Sequence, residues 1–418
     1  MSKIRLYPGK IEGVIEGISA SKSQLHRALI LSSLRKGVSF ISPLSTCQDV
    51  QETIACLKVL GVEITENEKG YQVKSNGISY AKYRKLSVQE SASTFRFLLP
   101  VVVHFTEESE WVLGERLRQR PNAYLSFYPH EKTEQGWKIY QKELEEELSI
   151  PGEDSSQFAT GFLFFSLARK KKTILHLSEK QVSFPYWKCS LQMACDLGAN
   201  IIEKSKFCYE ISPIQPTSPF SFHAEIDASS YAFFFVLATL NGDVYLPLIE
   251  KKYPQSDWKI VDILEDVGAR IALMKNAVHV VKTEKWKPLD VDLKDCPDLA
   301  PILFVVASML PMTSHFYHTH RLSGKESDRV NRMKEELEKI GAEWSIYPDS
   351  IDIKGCRSFP RDLHFSSHQD HRIAMALSLL AMRVDDSFTI ESTEVVKKSF
   401  PEFWQILRKT GLHLEEID

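Results

Sequence analysis

Short polar segments that open apolar runs carry most of the cations and hydroxyls with chemical potential in this chain. Ser19-Ala-Ser-Lys-Ser-Gln precedes Leu25–Leu34 and contributes Lys22, Ser23 and, one turn on, Arg27. Glu90-Ser-Ala-Ser-Thr precedes Phe95–Val103 and Asp154-Ser-Ser-Gln precedes Phe158–Ala168. Asp227-Ala-Ser-Ser, Cys296-Pro-Asp and Gln369-Asp-His-Arg do the same before Tyr231–Leu240, Leu299–Leu310 and Ile373–Met382. Ser, Thr and Asp cap helices because their oxygens take up the orphan N–H groups of the first turn. A helix start also carries partial positive charge and free donors, which attract phosphate and carboxylate. Further cations lie in short polar stretches: Arg120, Lys325, Arg329, Arg372 and Lys398. Arg offers a planar fork to an oxyanion, Lys a movable point charge. Taken singly, each is a solvated cation or a plain cap. Together they point to an anion-binding protein.

The six starts recur roughly every 60 to 75 residues, so the elements positioning them form a long internal repeat. Strand-like runs lie between them, among them Val62–Thr65, Tyr71–Lys74, Ile201–Glu203, Ile271–Met274 and Ser350–Ile353. Leu60-Gly61, Leu197-Gly198, Val267-Gly268 and Ile340-Gly341 precede several of these. Gly there reads as the left-handed residue that ends a helix before a strand. Six copies of one α/β unit, three per domain, are expected, with a compact joint near Pro219–Glu225.

At 418 residues the chain exceeds one ordinary core. With 43% hydrophobic and 26% charged residues it has a globular balance. The seven cysteines are scattered without a Cys-x-x-Cys pair, so no disulfide framework or zinc site is indicated. The net charge of −3 without a basic block argues against nucleic-acid binding. No apolar run reaches the length of a membrane span, and the N-terminus carries no leader pattern. A cytoplasmic monomer without metal or organic cofactor is expected.

In order along nearly the whole chain, these segments resemble the 5-enolpyruvylshikimate-3-phosphate synthase family. Ser21-Lys-Ser-Gln-Leu-His-Arg-Ala-Leu is similar to its opening Ser-Lys-Ser-x-x-x-Arg-Ala-Leu, and Glu90-Ser-Ala-Ser-Thr-Phe-Arg to its Asn-Ala-Gly-Thr-x-x-Arg loop. Arg120-Pro, Ser155-Ser-Gln, Ser183-Phe-Pro-Tyr, Asp227-Ala-Ser-Ser, Pro297-Asp298, Lys325-Glu-Ser-Asp-Arg, Asp370-His-Arg-x-Ala-Met and Lys398-Ser-Phe-Pro match further segments. The resemblance implies an α/β, two-domain enolpyruvyl transferase fold, each domain three βαβαββ repeats in an inside-out α/β barrel. Residues 19–224 would form the lobe mainly serving shikimate 3-phosphate. Residues 1–18 plus 225–418 would form the lobe with the catalytic carboxylates and part of the phosphoenolpyruvate site.

By the same resemblance, Ser23 and Arg27 hold the shikimate part. Ser155, Ser156 and Ser183 contact shikimate 3-phosphate, with Tyr186 in the same segment. Gln157 reaches between the substrates. Lys22, Arg120, Arg329, Arg372 and Lys398 surround phosphoenolpyruvate beside Ala92, and Lys22 also faces shikimate 3-phosphate. Lys325 serves the shikimate side. Asp298 and Glu326 lie nearest the reacting atoms. Asp298 takes the proton of the 5-hydroxyl, while Glu326 and Lys22 are the candidates for proton traffic at the pyruvyl carbon and leaving phosphate. His371 is expected to be pocket-lining or structural. The two substrates carry roughly six negative charges, which a low-dielectric site tolerates only with many cations.

Three features depart from the family pattern. Glu90 replaces Asn, so it is expected to turn aside or pair with Arg96. Ala92 replaces Gly, and its methyl is expected to weaken inhibition by glyphosate. Trp187-Lys188 follows Tyr186 where Ile-Asp is common. Three alternatives compete with the synthase reading. A UDP-N-acetylglucosamine enolpyruvyl transferase would carry a reactive Cys, and Glu108 to Arg120 has none. An RNA 3′-phosphate cyclase relative would need nucleotide chemistry that no segment supplies. A non-catalytic anion binder would lack one of Lys22, Asp298, Glu326, Arg329 or Lys398, and all are present.

Overall fold

A computed structural model describes residues 2–214, 220–356 and 358–417. Pro219, at one end of the expected joint, lies outside the described residues. All six expected starts open helices: Lys22–Ser33, Ala92–His104, Gln157–Ala168, Ala228–Asn241, Ala300–Ser308 and His371–Leu377. Several are apolar on nearly every face. In Gln157–Ala168 the residues from Phe158 to Leu167 are all buried, as expected for a helix enclosed by protein rather than lying on the surface. Ser91, Asp227 and Asp370 cap their helices through side-chain oxygens that accept backbone N–H groups. Gly61 and Gly341 take the left-handed conformation expected of helix-ending glycines, at φ 89° each.

The chain divides into two compact units. One holds Ala20–Glu225 with Lys251–Pro254, the other Met1–Ser19, Ile226–Glu250 and Gln255–Asp418. Each has three four-stranded sheets and its own apolar core. Every sheet has the same plan: a parallel pair, then two antiparallel additions. In Ala81–Val88 and Thr106–Leu113 the parallel pair is joined by the Ala92–His104 helix, a βαβ crossover. The sheets are open, and no barrel closes among the described residues.

Three sheets depart from simple chain order. Ile11–Val14 pairs in parallel with Gly242–Pro247, and Ser221–His223 with Lys36–Ser42. The strand preceding the Lys22 helix therefore belongs to the sheet that follows the Ala228 helix, and the converse holds for Ser221–His223. Lys3–Leu6 completes another C-terminal sheet, between Phe388–Glu391 and Leu414–Ile417.

Candidate active site

In the unit containing Ala20–Glu225, a buried hydroxyl chain ties three elements together. His26 Nδ1 lies 2.6 Å from Thr53 Oγ1, which lies 2.6 Å from Thr94 Oγ1. Thr94 also donates to the Asp49 carbonyl at 3.3 Å. Burial lowers His26 to about 3, so the ring is neutral at physiological pH. This chain fixes the Lys22 and Ala92 helix starts against Gln48–Val59. Lys22 Nζ then reaches Asp49 Oδ2 at 2.7 Å.

Arg27 is buried and engaged on several sides. It donates to Ser23 Oγ at 2.6 Å, Ser190 Oγ at 2.8 Å and the Tyr186 carbonyl at 3.2 Å. Its guanidinium lies 4.8 Å from the Phe97 ring centroid. Ser190 Oγ in turn lies 2.8 Å from Thr160 Oγ1. Arg27 thereby orients Ser23 and joins the Lys22, Gln157 and Phe184 helices. Ser183 starts the last of these in the left-handed conformation, at φ 51°.

Gln157 is gripped at both ends of its amide. Arg96 donates to Oε1 at 2.8 Å, and Nε2 donates to Ser93 Oγ at 2.9 Å. Arg96 also donates to the Pro121 carbonyl at 2.8 Å, which places the segment after Arg120. Ser155 Oγ accepts the Gln157 N–H at 3.2 Å, and Ser156 is buried beside it. Ala92 is the first residue of its helix and nearly buried. The preceding loop is held by Glu52, whose carboxylate accepts the N–H groups of Glu90 and Ser91.

The other unit contains a charge cluster built on Arg329. Its side chain is fully buried. Nη1 donates to Asp298 Oδ1 at 2.9 Å, Nη2 to Glu326 Oε2 at 2.7 Å and Nε to Asp370 Oδ2 at 2.9 Å. Arg372 donates to Asp298 twice, to its carbonyl and to Oδ2, each at 3.2 Å. Lys325 Nζ stands 3.5 Å from Asp298 Oδ1, and Lys398 Nζ 3.7 Å from Glu326 Oε1. Asp370 also accepts the Arg372 N–H and the Ser327 hydroxyl.

These contacts set the local charges. Burial would raise Asp298, but Arg372, Lys325 and Arg329 outweigh it and hold the carboxyl well below the usual range. Burial lowers Lys325 to about 8, only partly opposed by Asp298. Arg329 is raised: burial works against the cation, but Asp370, Glu326 and Asp298 overcome it. The result is an ionised carboxylate, Asp298, among three cations, with a second carboxylate, Glu326, held by the same Arg329.

The predicted residues thus fall into two groups. Lys22, Ser23, Arg27, Ala92, Arg120, Ser155, Ser156, Gln157 and Ser183 belong to one unit, while Asp298, Lys325, Glu326, Arg329, Arg372 and Lys398 belong to the other. Sequence reasoning missed Asp49, Glu52 and Asp370 as partners of these groups. Only Asp370 carried a signal, as a helix cap.

The EPSP synthase (3-phosphoshikimate 1-carboxyvinyltransferase) family model matches residues 7–407. The chain belongs to this family. It is 32% identical to the 3-phosphoshikimate 1-carboxyvinyltransferase of Clostridium kluyveri, over 100% of this chain and 99% of that one. It is 28% identical to that of Clostridioides difficile, over 100% and 99%. An EPSP synthase structure from Acinetobacter baumannii superposes with a TM-score of 0.80 at 21% identity, covering both chains completely. The enolpyruvyl transferase NikO from Streptomyces tendae follows at 0.76 and 14% identity, covering 100% of this chain and 99% of that one. The two structures share the fold with this EPSP synthase family member.

Proposed function

We propose that this chain transfers the enolpyruvyl group of phosphoenolpyruvate to the 5-hydroxyl of shikimate 3-phosphate and releases phosphate. Family membership supplies the reaction, and one observation carries its assignment to these residues. Asp298 accepts from both Arg329 and Arg372 while Lys325 stands beside it. A carboxylate so enclosed stays ionised and ready to take a proton where anionic ligands gather.

The methylene carbon of phosphoenolpyruvate is protonated, which makes C2 electrophilic. The 5-hydroxyl oxygen bonds to C2 as its proton passes to Asp298. Loss of phosphate and of a methyl proton from the tetrahedral intermediate then restores the double bond. Glu326 and Lys22 are the groups for proton delivery and return. Ser23, Arg27, Ser155, Ser156, Ser183 and Lys325 hold shikimate 3-phosphate. Arg120, Arg329, Arg372 and Lys398 neutralise phosphoenolpyruvate beside Ala92, and Gln157 touches both. The unit of Ala20–Glu225 serves mainly the shikimate side. Positioning and charge neutralisation supply most of the rate enhancement.

We read the chain as a cytoplasmic monomer without a resident cofactor; its cysteines are free thiols among the described residues, and no described helix is long and apolar enough to cross a membrane. The test is phosphate release from phosphoenolpyruvate with two acceptors. Release with shikimate 3-phosphate and none with UDP-N-acetylglucosamine supports the reading. The reverse pattern overturns it.

A further inference from the structure

The helix Arg329–Leu337 grips the loop that carries Asp370 at both of the helix's ends. At its start, Arg329 Nε donates to Asp370 Oδ2 at 2.9 Å. Near its other end, two turns on and on the same face, stands Glu336. Glu336 is 1% exposed and plays no part in the proposed mechanism. Its Oε2 accepts the Ser366 N–H at 3.0 Å and Lys339 Nζ at 2.6 Å. Its Oε1 accepts from His368 Nε2 at 2.7 Å. Burial would raise this carboxyl, but His368, Lys339 and the Ser366 N–H outweigh it and hold it below the usual range.

The gripped loop has an unusual backbone. It runs from the end of the strand Leu363–Ser366 to Asp370, which caps the helix His371–Leu377. Within it His368 and Gln369 are consecutive non-glycine residues in the left-handed region, at φ 49° and 59°. Such backbone persists only where surrounding contacts over-determine it. Ser367 Oγ donates to the Ser392 carbonyl at 3.1 Å, and the Asp370 N–H donates to the Ser367 carbonyl at 2.9 Å. These bonds fix Ser367. Glu336 fixes the residues on either side, Ser366 through its N–H and His368 through its ring. Asp370 then arrives with Oδ2 on Arg329 Nε and Oδ1 on the Arg372 N–H.

We infer that Glu336 and His368 are positioning residues for this reaction: their hydrogen-bonded pair sets the turn that aims Asp370 at Arg329 and Arg372. The inference rests on the reading of those two arginines as phosphoenolpyruvate ligands. A guanidinium meets an oxyanion through a fixed fork, so a small shift of Asp370 misaims both. His368→Ala would mix two effects, loss of the clasp and a side chain ill-suited to a left-handed backbone. His368→Gly separates them, because glycine accepts that backbone and lacks the ring.

The test compares wild type with His368→Gly in steady-state kinetics with both substrates. The variant should raise KM for phosphoenolpyruvate about five- to tenfold, change kcat less, and leave KM for shikimate 3-phosphate within about twofold. A pair that only stabilises the fold would lower the unfolding temperature and leave both KM values alone. That result, or an equal rise in both KM values, overturns the inference and leaves the enzyme reading intact. Should wild type fail to turn over these substrates, the enzyme reading fails, and hydrogen exchange of the ligand-free protein decides whether the pair sets the turn. The Asp370 and Arg372 amides, both hydrogen-bonded, should exchange about tenfold faster in His368→Gly, while the Gln157–Ala168 helix keeps its rates. Equal exchange at Asp370 and Arg372 in the two proteins overturns the proposal.

Discussion

Arg329 donates to Asp298 at 2.9 Å from a side chain with no solvent exposure, and the same guanidinium also binds Glu326 and Asp370. One cation therefore fixes both proposed catalytic carboxylates. Arg329→Met would leave three carboxylates facing one another. Breaking a buried ion-pair network from one side costs about 3–5 kcal/mol. Urea unfolding should show a loss of that size, together with loss of activity.

Asp298→Asn removes the proposed base but keeps the shape. Removing a general base costs about 10²–10⁴-fold in rate. kcat should fall within that range, with KM for phosphoenolpyruvate changed far less. A fall in affinity without a fall in kcat would make Asp298 a binding group only.

Lys325 should make shikimate 3-phosphate binding sensitive to alkaline pH. Burial lowers it to about 8, so the ligand-free ammonium loses its proton as pH rises through that value. An anion favours the protonated form, so binding above pH 8 must take up a proton. Affinity measured by calorimetry should fall up to about tenfold between pH 8 and 9. Lys325→Arg should flatten that fall, because guanidinium keeps its charge.

How much of this was legible follows from distance along the chain. The helix starts at Ser91, Asp227 and Asp370 could be read because a cap and its apolar run are neighbours in sequence. The same locality exposed the glycine stops at Gly61 and Gly341. The Arg329–Asp370 pair joins residues 41 apart, and the Glu52 clasp on Ser91 joins residues 39 apart. No local pattern encodes such pairings. Asp257 reads as an ordinary polar residue in a loop, since burial comes from the surrounding fold. The resemblance implied that Ile11–Val14 joins the C-terminal lobe, but its pairing with Gly242–Pro247, like that of Ser221–His223 with Lys36–Ser42, was hidden, because parallel partners are set by topology.

Ala92 should determine glyphosate response. It is nearly buried at a helix start whose loop is clasped by Glu52. If its methyl crowds the inhibitor, Ala92→Gly should lower the inhibition constant about tenfold, a typical effect of one methyl in a pocket. An unchanged constant rejects the steric account.

Asp257 should cost stability as pH rises, because its carboxyl is buried. Its folded value of about 6 lies above the ordinary 3.8, so the folded state holds the proton more tightly. Stability is fullest at low pH for this group and declines as pH rises from about 4 to 6. At pH 8, Asp257→Asn should therefore be more stable than wild type by about 2–3 kcal/mol. Thermal unfolding at pH 4 and pH 8 checks the sign: the gain should appear only at the higher pH.

Joining the enolpyruvyl group to the 5-hydroxyl by addition and elimination leaves an isotopic signature. NMR of a reaction in D₂O with phosphoenolpyruvate and shikimate 3-phosphate follows every bond involved. Equimolar phosphate and a 5-enol ether are expected, with deuterium in the methylene group because that carbon is transiently a methyl. Unchanged phosphoenolpyruvate, or its hydrolysis to pyruvate with shikimate 3-phosphate untouched, would contradict this route.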